Sequence, residues 1–311
     1  MIFSNETTRK VSSYGQLGLA IGIWSAIYWL LVYFAGRVPN PGETGSIFWG
    51  ENYLAFLSAM ILIATTLYLV DVYVRYSQSI ASLFGLTLLC TVINHYANSV
   101  AIPTSISSFI VNLAILGISF NLGKLIGVLV NERSYIVPLA LVAAVADLWS
   151  VFAGPTAHII EIPTYYRYFL VCYPRLGSEI LYPMLGMGDF TFLALFLTLI
   201  PRFELRPRAT SWGIIISFIV ALLLSIISNK GIPVIPFMAT AFLVANWELL
   251  EFKSNEIRTT FIFIGLFLFI VIIFTYLAKP RIPSILPSQL PNQAQVEQKL
   301  GNAINTSQSK P

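Results

Sequence analysis

The stretch "ILYPMLGMGDFTFLALFLTLI", Ile180 to Ile200, decides how this chain is to be read. It has the length and apolar content of a bilayer-crossing segment, since a hydrocarbon core about 30 Å thick is spanned by ~20 helical residues. Near its middle stand two glycines and an aspartate: Gly186, Gly188 and Asp189. A carboxylate at that depth costs a few kcal/mol even on lenient insertion scales, so Asp189 points to function rather than to packing.

The whole chain has the same character. Of 311 residues 57% are hydrophobic and 10% charged, with a mean hydropathy of +0.78, whereas soluble domains carry roughly a quarter charged residues. A membrane β-barrel would show shorter, alternating segments in place of these unbroken runs. The expected fold is therefore an all-α polytopic membrane protein. Apolar runs predict about nine spans, near residues 16–36, 53–74, 79–98, 106–130, 134–153, 179–200, 212–229, 232–250 and 259–278. The first is preceded by Arg9 and Lys10 and is longer than a signal peptide's apolar region, which makes it a retained helix. The connection after the fifth span has Tyr and Arg residues suited to a short interfacial helix. From about Pro280 the chain is rich in Pro, Gln, Asn and Ser and is expected to be a disordered polar tail, 280–311.

Lysine and arginine set the orientation. With the N-terminus cytoplasmic, that side receives nine of them and the opposite side six, not counting two far out in the tail. The net charge of +4 is dispersed, without a basic cluster or aromatic platform, and offers no footing for nucleic acid. Short loops and the lack of a large soluble domain favour a prokaryotic inner membrane. Cys90 and Cys172 have neither disulfide-framework nor metal-site spacing, and His95 and His158 are too few for a histidine metal site. Neither a metal nor another cofactor is expected.

The chain has three aspartates. Asp71 lies four residues before Arg75 near a span end, the spacing of an interfacial ion pair. Asp147, in "VAAVADLWSVF", and Asp189 have no lysine, arginine or histidine within a helical turn. Counted from the shared connection, their depths are roughly 9 and 15 Å at 1.5 Å per residue. Two consecutive antiparallel helices would thus bring two carboxylates to one level. In low dielectric such a pair cannot be doubly ionised and holds a shared proton. The ionised member can then take a proton from water while the protonated one hydrogen-bonds a substrate carbonyl. Gly186 and Gly188 are expected to admit a close backbone, and Pro183 to loosen the helix a turn earlier. Downstream, Pro233 and Pro236 bracket Val234 and Ile235 at a span start, where they leave backbone groups free to pair with an extended peptide.

In order and approximate spacing, "AD" at Ala146 and Asp147, "GMGD" at Gly186 to Asp189 and "PVI" at Pro233 to Ile235 resemble the motifs of the presenilin and signal peptide peptidase family, the GxGD intramembrane aspartyl proteases. Ala146 stands where the family has tyrosine, and Val234 and Ile235 stand where it has Ala and Leu. The resemblance covers residues 135–250. The apolar runs divide the chain into about four N-terminal helices over 1–130, a presenilin-like catalytic core over 131–250, a final helix over 251–279 and the polar tail, whereas the family has five spans before its first aspartate and none after its proline motif. The resemblance implies an aspartic endopeptidase with Asp147 and Asp189 as catalytic pair, Pro233 to Pro236 at the substrate, and transmembrane proteins as substrates. The external loop between the catalytic helices is similar to the signal peptide peptidase orientation. Two rivals use the same residues: a transporter or channel relaying protons or cations through the two aspartates, and an inactive relative that only binds substrates. No HExxH, GxSxG, P-loop or GxGxxG occurs. Glu248 and Glu251, at a span end, are expected to face water or Lys253.

Overall fold

A computed structural model of the chain describes residues 3–35, 48–76, 78–99, 104–152, 167–174, 181–228 and 231–250, besides a few single positions. Of the expected final span 259–278 only Gly265 and Phe269 are described, both helical, and the tail 280–311 lies outside the described residues. Eight α-helices are present among the described residues: α1 Phe3–Ala35, α2 Phe48–Arg75, α3 Ile80–Ser99, α4 Thr104–Leu129, α5 Ile136–Phe152, α6 Met187–Arg202, α7 Pro207–Ser228 and α8 Ile235–Asn246. A short 3-10 turn, Arg133–Tyr135, leads into α5, and another, Trp247–Leu249, follows α8. Six of the helices, α1 to α5 and α7, are long and apolar enough to cross a membrane. The chain is a mostly helical, multi-pass membrane protein.

One expected helix is two elements. In place of a helix over 179–200, a strand β2, Leu181–Gly186, runs into α6, and it pairs antiparallel with β1, Leu170–Pro174; in the connection where a short interfacial helix was expected, Arg167 to Phe169 are helical and lead into β1. Proline explains the difference. Pro183 has no N–H to continue a helix and pushes the residue before it towards extended backbone, so it does not loosen a helix but precludes one. The 16 residues of α6 rise roughly 24 Å, less than the hydrocarbon core is thick. If α6 crosses the bilayer, the hairpin that leads into it must supply the remaining depth. Strand backbone at such depth is tolerated only inside protein, and β1 is buried throughout.

The helices alternate in direction, as bonds at their ends show. Ser107 at the start of α4 donates to the Ala97 carbonyl near the end of α3 (2.8 Å). Near the other end of α4, Lys124, 5% exposed, donates to the carbonyls of Tyr73 (3.3 Å) and Tyr76, capping α2, with its ammonium 5.2 Å from the Tyr73 ring centre. The Tyr73 hydroxyl donates to Asn121. Arg202, ending α6, donates to the Val130 carbonyl just beyond α4 (2.7 Å). A lysine inside a span is thus used as a helix cap.

Helix α6 is the centre of the bundle. From Phe190 to Ile200 only Phe192 is not buried, and α4 is the helix it packs against most extensively. That contact rests on Gly123 and Gly127, four apart on α4. A Cβ at Gly123 would lie 2.1 Å from the Thr191 carbonyl oxygen, and one at Gly127 2.8 Å from the Thr198 side chain. Small residues at this spacing let membrane helices approach backbone to backbone. Helices α7 and α8 meet similarly: a Cβ at Gly213 would sit 3.1 Å from that of Ala241. Fully buried Asn246 accepts the Arg206 N–H (2.9 Å) and donates to Thr210 (2.8 Å).

Gly123→Leu forces α6 off α4 and should lower the thermal unfolding midpoint of the detergent-purified protein, whereas Gly18→Ala, where an added Cβ meets nothing within 4 Å, should leave it unchanged or slightly raised. Gly123→Ala should be milder, destabilising by about 1–3 kcal/mol as overpacking does. Equal midpoints for all three variants and the parent would contradict the packing described.

Candidate active site

Asp189 owes its position to the way α6 begins. Gly186, the last residue of β2, is the N-cap, with φ −77° and ψ 155°. Asp189, at the third helical position, turns back and its Oδ2 accepts the Gly186 N–H at 2.9 Å. This is one half of a capping box, the half that glycine permits. Asp189 therefore lies in the first turn of α6, not several turns along it. The two glycines were expected to admit a neighbouring backbone, but among the described residues none approaches them closely. A Cβ at Gly186 would meet ordinary contacts at 3.5 Å, and one at Gly188 only Ile235 Cδ1 at 4.0 Å. Gly188 is exposed, so its missing side chain leaves open space beside the carboxylate. The close backbone approaches belong to α4 instead.

Asp147 lies five residues before the end of α5, and its Oδ2 accepts the N–H of Ile235 at 3.1 Å. Ile235 opens α8, with Val234 as N-cap. The first donors of α8 are all accounted for: Ile235 gives its N–H to Asp147, Pro236 has none, and Phe237 and Met238 both donate to the Val234 carbonyl at 3.1 Å. The free backbone donor expected around Pro233 to Pro236 therefore goes to a carboxylate. Pro233, Val234 and Ile235 are buried and Pro236 half-buried, so this segment supports Asp147 from behind.

Asp147 and Asp189 come close enough for the charge of one to act on the other. Both are half-buried. The expectation that α5 and α6 pack together to achieve this needs correction. Among the described residues α5 makes its extensive helix contact with α8, and α8 touches α6. The proline-started helix thus links the two carboxylates, with its N-terminal dipole directed at Asp147. Ala146, beside Asp147, is half-buried and has no polar group to add. Chemically, each carboxylate is held through one oxygen by a backbone N–H. The arrangement can keep a proton between two acids beside the uncrowded position of Gly188. Among the described residues no group of three or more His, Cys, Asp or Glu gathers to hold a metal.

Sequence reasoning passed over the residues that fasten the hairpin. Ser119 of α4 donates to the Met187 carbonyl at the head of α6 (3.1 Å), and Asn112 bonds both backbone groups of Cys172 in β1 (2.6 and 2.9 Å). Asn94 of α3 donates to the Tyr168 carbonyl (3.1 Å), and Arg167 to Ser107 (3.1 Å). The signal that could have found them was asparagine and serine inside spans, where polar side chains need partners. Elsewhere Asp71 and Arg75 form the expected ion pair at 2.6 Å on the exposed surface. Glu248 pairs with Arg206. His95 lies 6.4 Å from the Tyr168 ring. His158 and Glu251 lie outside the described residues.

No known family's model matches the chain, and neither do the characterised proteins or the solved structures compared with it.

Asp189→Asn keeps an acceptor for the Gly186 N–H and leaves a single acid where two compete for a proton, so the unfolding midpoint should hold or rise. Asp189→Leu strands that N–H and should destabilise by about 1 kcal/mol, the scale of a lost helix cap. Thermal unfolding of the two purified variants side by side measures the difference, and the reverse ranking would contradict the cap.

Proposed function

We propose that this chain is an intramembrane aspartyl protease, a divergent, prokaryotic-type relative of the presenilin and signal peptide peptidase family, that hydrolyses peptide bonds in transmembrane segments. One observation carries the reading: the AD, GxGD and PVI(P) segments, far apart in sequence, meet at one place, with Asp147 and Asp189 in electrostatic contact and Ile235 bonded to Asp147. In the reaction one carboxylate takes a proton from water as the water attacks the peptide carbonyl carbon. The other donates a proton to the carbonyl oxygen, giving a gem-diol; as the C–N bond breaks, the first passes its water-derived proton to the leaving nitrogen and the second takes one back from a gem-diol hydroxyl.

A peptide bond in an α-helix is shielded, so the substrate must be extended at the cleavage point. Strand β2 has a second edge with no strand partner among the described residues, and it leads directly into Gly186 and Asp189. Such an edge can hold an unwound peptide by backbone hydrogen bonds. This assigns substrate pairing chiefly to β2 and leaves Pro233 to Pro236 to hold Asp147. The absence of extensive contact between α5 and α6 among the described residues leaves a path between the catalytic helices. The helix ends remote from the hairpin carry Arg75, Arg133, Arg202, Arg206 and Arg208, against Arg37 and Arg167 at the hairpin end among the described residues. That distribution supports a hairpin on the non-cytoplasmic side.

In proteoliposomes carrying a transmembrane reporter, Asp147→Asn and Asp189→Asn should each reduce cleavage at least about a hundredfold, the scale of lost acid–base catalysis, while remaining folded. The wild-type rate should follow a bell-shaped pH profile, because a shared-proton pair works only in its singly protonated form. Equal cleavage by wild type and a double-asparagine variant would refute the reading. No cleavage, with proton flux that depends on the aspartates, would favour a transporter.

A further inference from the structure

The hairpin before α6 has a partner on its outer side that is not a strand. Cys172 of β1 stands opposite Pro183 of β2, and the register slips between Val171 and Cys172, so Met184 is an extra residue on β2. Pro183 has no N–H to donate across the ladder. The backbone groups of Cys172 turn to the other side. There they meet the side-chain amide of Asn112, whose Oδ1 accepts the Cys172 N–H at 2.9 Å and whose Nδ2 donates to the Cys172 carbonyl at 2.6 Å. One primary amide thus makes the two bonds that a neighbouring strand would make. Asn112 is 1% exposed and Cys172 is buried as well, so neither group has water to fall back on.

We propose that Asn112 is a positioning residue for the dyad: it closes the outer edge of β1, locks the bulged hairpin, and through β2 sets where Asp189 and the open substrate edge stand. The inference rests on the protease reading given above. Asn112 touches neither aspartate. Its influence runs along Cys172, Pro183 and Gly186, the last of which donates to Asp189. Because β2 rises about 3.4 Å per residue, a slip of the hairpin by one position presents a different peptide bond of the substrate to the carboxylates. Asn112 therefore determines which bond is cut as well as how fast. Alanine or leucine at 112 supplies neither bond, and aspartate supplies only the acceptor.

The test has two arms. With the transmembrane reporter, mass spectrometry of the products should show that Asn112→Ala and Asn112→Leu broaden or move the set of cleaved bonds and lower kcat about tenfold. Lys124→Met, destabilised near the other end of the same helix, should still cut at the wild-type bonds. Unchanged bonds and kcat in both Asn112 variants, with an active wild type, overturn the inference and leave the protease reading standing. The second arm needs no activity. In an Asp189→Asn background in native membranes, alkylation of Cys172 by a small maleimide should accelerate at least tenfold on Asn112→Ala, while that of Cys90 stays the same. A Cys172 that remains protected overturns the inference. Should Asn112→Ala fail to fold, Asn112→Asp carries both arms, with smaller effects whose presence supports the inference and whose absence overturns it.

Discussion

The contact of Gly123 with the backbone of α6 is the constraint from which the rest of the molecule follows. In lipid there is little hydrophobic drive to bring helices together, so close packing and hydrogen bonds must do it. Two glycines on α4 allow α6 to lie against it with no side chain between. Once α6 is held there, its first turn has a fixed place. The same helix α4 then reaches the hairpin through Asn112 and the head of α6 through Ser119. A single helix is the ruler for the strand, the cap and the carboxylate.

A second theme is how the protein places polar groups in a medium that cannot solvate them. Lys124 serves the open carbonyls of α2, Arg202 that of Val130, and Asn246 the junction of α7 and α8. The two aspartates follow the same rule, each accepting a backbone N–H at a helix start. They differ from these other groups in one respect. Each keeps an oxygen free of these bonds, and Gly188 leaves its side of Asp189 uncrowded. Lys124, Arg202 and Asn246 are committed to holding helices together, whereas the dyad is satisfied by half, and that remaining capacity is what chemistry can use.

The dyad is also assembled indirectly. Asp147 is carried by α5 and Asp189 by α6, yet the element that brings them together is α8, whose first N–H bonds Asp147 and whose Ile235 side chain faces Gly188. Pro233 and Pro236 make this possible by fixing where α8 starts. Displacing α8, for instance at Gly213 or Asn246 far from the carboxylates, therefore shifts the distance between them.

Much of this was legible in the sequence. Long apolar runs fixed the helical membrane architecture because hydrocarbon admits little else, and most helix ends fell within a few residues of the runs. Asp147 and Asp189 stood out because an uncompensated carboxylate in a span is expensive. The Asp71 and Arg75 pair followed from its spacing of four. What only the tertiary structure decided was non-local. Pro183 bars a helix over the first part of the run from Ile180 to Ile200, but what makes that part a strand is its pairing with β1, which a buried Asn112, 60 residues from Cys172, holds from the other side. The meaning of the glycines was likewise undetermined, since a glycine records only that a side chain is missing. Whether that gap admits a helix, as at Gly123, or leaves room beside a carboxylate, as at Gly188, depends on what the fold brings opposite it.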